Sequence, residues 1–150
     1  MVPYNRETLF RAAQWIVTSK RRVGRKIRQL VGTEEECTLI LTELYRIEDH
    51  LRRARSLRVD ATLTLVDWFT ILEYFQWRCA YCQAEPFQVL LHILPQDTAG
   101  TTPENCVPAC RHCKCSSKRE RTHVMKYLAT LHYPQAEQKV PEKKDPPYEV

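Results

Sequence analysis

The sequence predicts an α+β protein, with a pair of helices in front and a small strand-bearing unit behind. Three observations carry this. Apolar residues recur at helical spacing through the first third. Four cysteines fall later in two Cys-x-x-Cys pairs. A short run rich in Val, Leu and Ile lies between those pairs. Only three glycines occur in 150 residues, against nine prolines, which argues against a turn-rich sandwich. The length suits one ordinary domain, or a small domain with a helical attachment.

Leu9, Ala13, Ile16, Val23, Ile27 and Leu30 follow a 4-3 spacing, interrupted by Lys20, and predict a first helix. Cys37, Ile40, Leu44, Ile47, Leu51 and Ala54 repeat the pattern and predict a second. Gly32 stops the first, and Thr33 with Glu36 forms a capping box for the second. So short a turn predicts an antiparallel hairpin over residues 1–58, packing on the second half or on another protomer. Cys37, on the apolar seam, is expected as a small core residue.

A polar stretch from Arg58 to Thr62 leads to a third helix, capped by Thr64 and Asp67, with Leu65, Trp68, Phe69, Leu72 and Phe75 as its apolar face. It must end by Trp77, because the turn at Cys79–Cys82 follows. Residues 87–93 predict a short buried strand and residues 97–104 a loop. A last helix carries Val124, Tyr127, Leu128 and Leu131. The unit spans residues 62–132. The tail, residues 133–150, is proline-rich and charged and is expected to be disordered.

Charge is segregated along the chain. Residues 1–58 hold thirteen Lys/Arg against seven Asp/Glu, residues 59–109 one against six, and residues 110–132 six against one. Two basic blocks thus flank an acidic one, a layout that points to phosphate contact, with a solvated helix face as the alternative. No apolar run approaches the ~18 residues of a membrane span, and the N-terminus lacks the layout of a secretory signal. The expected location is cytoplasmic, without membrane association. Seven cysteines, an odd number, suit metal ligation in a reducing compartment better than a disulfide frame.

Cys79 and Cys82, with Cys110 and Cys113, have the spacing of a tetrahedral thiolate site, for which zinc is the usual ion. With four ligands supplied, no position remains for water, so the zinc is expected to be structural and to contribute to folding. Cys106 and Cys115 are spares, one packed inward and one partly exposed. Any catalysis must come from elsewhere, and His92 is the candidate. His112 is expected at the surface, while His50, His123 and His132 have no identifiable partner.

From Leu63 to Lys118 the chain resembles the HNH endonuclease family in its zinc-bearing form. The matching pieces are LTLVDWFTILEYFQWRCAYC, H-x-x-P at His92 and Pro95, T-x-x-N-x-V-P-A-C from Thr102 to Cys110, then CRHC and SSK. The resemblance implies a ββα-metal core (the His-Me finger arrangement) clamped by zinc and docking on nucleic acid, DNA rather than RNA. It implies His92 as general base on water and Asn105 as the residue that braces the loop and orients His92. A divalent Mg²⁺ or Mn²⁺ would stabilise the phosphate in an active member. The family holds that ion with an acidic residue before the histidine and an Asn or His after the last zinc cysteine. This chain has Leu91 and Lys114 there. Neither supplies what a hard cation needs, so impaired cleavage is expected. Asp97 or Glu104 standing in as carboxylate, or the Lys114 ammonium in place of the metal, are the routes by which activity would survive.

Binding withstands those losses better than chemistry does. Arg111, Lys114, Lys118, Arg119 and Arg121 are the expected phosphate contacts. The principal expectation is therefore a nucleic-acid-binding relative of the nucleases. The alternatives are an active endonuclease hydrolysing phosphodiester bonds with His92 as base, and an interaction module in which the hairpin forms a homodimer or holds a protein partner.

Overall fold

The computed structural model describes residues 4–19 and 24–132. The elements are α1 (Arg6–Ser19), α2 (Gly24–Leu30), α3 (Glu34–Ser56), α4 (Leu65–Tyr74), β1 (Val89–His92), α5 (Gln96–Ala99), β2 (Cys106–Ala109), α6 (Arg111–Cys115) and α7 (Thr122–His132). The fold is α+β and mostly helical, with one antiparallel two-stranded sheet. The expected disordered tail, and Lys20 and Val23 of the first expected helix, lie outside the described residues.

The stretch expected as the first helix is described as α1 and α2, each of which meets α3. More of α1 lies against α4 than against α3. Leu9, Ala12, Ala13 and Ile16 are buried on it, and the Phe10 ring lies 6.1 Å from that of Phe69. The reason is area. Two thin amphipathic helices bury little between them, whereas the apolar face of α4 offers a second surface. The buried residues accordingly form a single cluster running from Leu9 to Tyr127, with Trp68 and Phe69 fully buried in it.

Thr33 caps α3 as expected, its hydroxyl accepting from the Glu36 backbone N–H at 3.1 Å. Glu36 completes the motif differently, with its carboxylate accepting from the Thr33 hydroxyl. At α4 the capping box is reciprocal between Thr64 and Asp67. The C-termini of both helices close without glycine. Arg58 (φ 58°) and Gln76 (φ 57°) take the left-handed position, and Trp77 N–H returns to the Leu72 carbonyl at 2.8 Å. That reversal releases the chain into the first cysteine turn.

The expected strand narrows to β1, which pairs with β2 in the register Leu91–Val107 and His92–Cys106. The segment expected as a loop contains one helical turn, α5, and then Gly100 at φ 77°. A side chain on Gly100 would collide with the Asp60 carbonyl, so this close approach requires glycine. Thr101 N–H donates to that carbonyl at 2.8 Å, and the Thr101 carbonyl accepts from the N–H groups of Thr62 and Leu63. The linker after α3 is thereby fastened to the loop after β1. Among the described residues, no helix is long and apolar enough to cross a membrane.

Candidate metal centre and the histidine strand

The first cysteine pair sits on a tight turn. Gln83 N–H donates to the Cys79 carbonyl at 2.9 Å, with Gln83 at φ 57°, and Cys79 N–H donates to the Glu85 carbonyl at 2.8 Å. The second pair opens α6, where Cys110 is the N-cap and its sulfur accepts from Cys113 N–H at 3.4 Å. Ala80 N–H bonds the Pro108 carbonyl at 2.8 Å and holds the first turn against β2. The four sulfurs lie within 4.8 Å of one another, and those of Cys82 and Cys110 are 3.9 Å apart. A tetrahedral ion with thiolate bonds near 2.3 Å sets its ligands about 3.8 Å apart, so the cluster can hold a metal ion and its chemistry is consistent with zinc.

Burial pushes the Cys110 and Cys113 thiols up. At Cys82 burial also raises the value, but N–H donors at Glu85 and Ala84 outweigh it and bring the thiol down to about 7. Among the described residues this is the single group of three or more Cys, His, Asp or Glu arranged to take a metal. Cys106 is buried and Cys115 exposed.

His92 ends β1, half-buried, with Nε2 2.9 Å from the Thr101 hydroxyl. That hydroxyl also accepts from Gln96 Nε2 at 2.9 Å, and the same amide donates to the His50 carbonyl on α3. The His50 ring meets the His92 ring edge-on, centroids 5.1 Å apart. Burial, followed by the nearby His50 and Arg53, pushes the His92 pKa down to about 4. His50 is lowered as well, by burial first, with Arg46, Lys114 and Arg53 adding and Asp49 opposing. The His92 imidazole is thus neutral at pH 7.

Asn105 is buried and clamps one residue from both sides. Its Oδ1 accepts from Leu94 N–H at 2.8 Å, and its Nδ2 donates to the carbonyls of Leu94 at 3.1 Å and Gly100 at 2.8 Å. The loop between β1 and β2 is therefore closed around a single amide. Leu91 is half-buried against the core, and Lys114 is exposed on α6. Asp97 and Glu104 are both exposed, and no carboxylate is among the groups that perturb His92.

Arg111, Lys114, Lys118 and Arg121 are exposed around α6 and the approach to α7. Arg119, another of the expected phosphate contacts, is half-buried and bonded within the protein. Its Nη1 lies within 3.4 Å of the carbonyls of Cys113, Lys114 and Ser116, and its guanidinium stands 5.1 Å from the centre of the Tyr81 ring. It closes the C-terminal end of α6 and ties the two cysteine turns together. His50 is one of three histidines that sequence reasoning left without a partner. The available signal was its place three residues after Ile47, beside the apolar seam of α3. Comparison with known protein families, with functionally characterised proteins and with solved structures finds no match to this chain.

Proposed function

We propose that this protein is an HNH-type, zinc-stapled nucleic-acid-binding protein that has lost efficient cleavage. The two-residue spacing of the cysteine pairs, the H-x-x-P at His92 and the Asn105 clamp on the following loop support the HNH part. The exposed cations at Arg111, Lys114, Lys118 and Arg121 support the binding part, since each phosphate contact releases counterions. Zinc at the four cysteines would act as a staple, and with a full ligand set it would offer no position for water.

One observation carries the loss of cleavage. No carboxylate joins His92, whose Nε2 lies 2.9 Å from the Thr101 hydroxyl, to make a second ion site among the described residues. A phosphoryl transfer of this kind needs a hard cation opposite its general base. With a pKa near 4, His92 is also a weak proton acceptor. The test is incubation of the zinc-loaded protein with supercoiled plasmid and Mg²⁺ or Mn²⁺, alongside gel-shift titration at low and high salt. Salt-sensitive binding without nicking is the expected result. Nicking that disappears in His92→Ala would install the active-nuclease alternative, and absence of binding at low salt would favour a protein-interaction role for the helices.

A further inference from the structure

The end of α4 and the first cysteine turn enclose a cleft of ≈ 280 Å³ lined by Tyr74, Phe75, Gln76, Arg78 and Gln83. Gln83 shares its backbone with the first cysteine turn, but none of the lining side chains belongs to the four sulfurs or the histidine network. Tyr74 is 45 % exposed, yet its ring is held by a tilted contact with Tyr127 at 4.7 Å and an edge-on contact with Phe75 at 4.9 Å. An exposed aromatic ring backed by two others is a ready platform for a further planar ring. The side-chain amides of Gln76 and Gln83 hold no hydrogen bond to the described residues. Each offers donors and an acceptor in one plane, the pattern that pairs with the edge of a base. Arg78 is held at the rim by its bond to the Ala84 carbonyl at 2.8 Å, which leaves further guanidinium N–H groups for an anion. No carboxylate lines the cleft, so it does not suit a cation.

We infer that this cleft takes one unpaired nucleobase, stacked on Tyr74, with its edge read by Gln76 and Gln83 and its phosphate met by Arg78. The inference rests on the nucleic-acid-binding function proposed above. It adds that the protein distinguishes an unpaired base from a closed duplex. A free nucleotide carries the same chemistry, and the test separates the two sources.

Three probes are titrated against the full zinc-loaded chain: a labelled single strand containing 2-aminopurine, a fully paired duplex of the same length, and adenosine monophosphate. Two variants are compared with the parent. Tyr74→Leu keeps apolar cover over Tyr127 but removes the stacking face. Gln76→Gly with Gln83→Gly removes both amides at positions where glycine takes the left-handed turn without strain, so the fold is kept or firmed. The expected result is about tenfold weaker single-strand binding in each variant, loss of the 2-aminopurine quench, and unchanged duplex binding. Variants that bind the single strand as tightly as the parent overturn the cleft and leave the proposed function standing. If the parent binds neither strand nor duplex at low salt, the proposed function fails. Adenosine monophosphate binding that the variants lose then identifies the free nucleotide as the source of the base, and its absence overturns the cleft too.

Discussion

The indole N–H of Trp68, at the centre of α4, donates to the buried carboxylate of Glu43 on α3 at 3.0 Å. The same oxygen accepts from Arg46 Nε at 2.8 Å, and Arg46 reaches on to the Gln88 carbonyl at 2.8 Å. One carboxylate, 2 % exposed, thus couples the front helices to α4 and to the approach of β1. A buried charge of this kind is tolerated because both of its partners are in place.

Removing that carboxylate strands a buried indole N–H and a partly buried guanidinium. Glu43→Leu is expected to cost about 3–5 kcal/mol in urea unfolding. Trp68→Phe, which keeps most of the bulk and leaves Arg46 paired, should cost less, about 1–3 kcal/mol. Equal and small effects from the two would mean that α3 and the sheet are not coupled through this point.

Metal removal is the second prediction. Elemental analysis should find one zinc per chain, and a strong chelator should collapse near-ultraviolet dichroism along with it. Binding to the four sulfurs is folding energy, so Cys110→Ser or Cys113→Ser should lower the unfolding midpoint even with zinc in excess. Native dichroism in a demonstrably metal-free sample would remove the staple from the account.

The histidine pair sets a pH dependence whose direction can be worked out. Folded His92 takes up its proton only near pH 4, whereas the histidine of the unfolded chain does so near 6.5. Between those values the unfolded state binds more protons, so stability is complete above about pH 6.5 and is lost as pH falls toward 4. His50, also lowered, adds with the same sign. Imidazole resonances followed by NMR should place the His92 midpoint well below 6, and His92→Gln should flatten the acid limb of the stability profile. A midpoint near 6.5 would contradict the burial argument.

Phosphate contact and structural support should separate cleanly among the basic residues. Lys118→Ala and Arg121→Ala should each weaken nucleic-acid binding and reduce the salt slope by about one, without altering the unfolding midpoint. Arg119→Ala should instead lower stability first, because its guanidinium serves the carbonyls at the end of α6 and the Tyr81 ring. An Arg119 variant with full stability and a lost salt-slope unit would return it to the phosphate contacts.

Restoring metal ligands tests the proposed loss of cleavage directly. Leu91→Asp with Lys114→Asn should raise Mg²⁺-dependent nicking on the order of a hundredfold, and His92→Ala added to them should abolish it. No gain, with the fold intact, would locate the block at Thr101 instead, and Thr101→Val in the same background would then be the variant to assay.

Local chemistry was legible in the chain before any coordinates. Thr64 with Asp67 marks a helix start because a short hydroxyl and a carboxylate three residues on satisfy orphan N–H groups wherever they occur. Two-residue spacing within the cysteine pairs is likewise a property of short segments, and it identified all four sulfurs that the fold gathers. The helix ends were harder to see, since Arg58 and Gln76 take a position that glycine usually signals.

Tertiary structure alone decided what depends on distant segments meeting. The turning of α1 onto α4, the inward use of Arg119 and the meeting of His50 with His92 across 42 residues leave no periodic trace. Each is settled by which surfaces remain to be covered once local elements have formed. That competition for buried area involves the whole chain at once, and no window of sequence contains it.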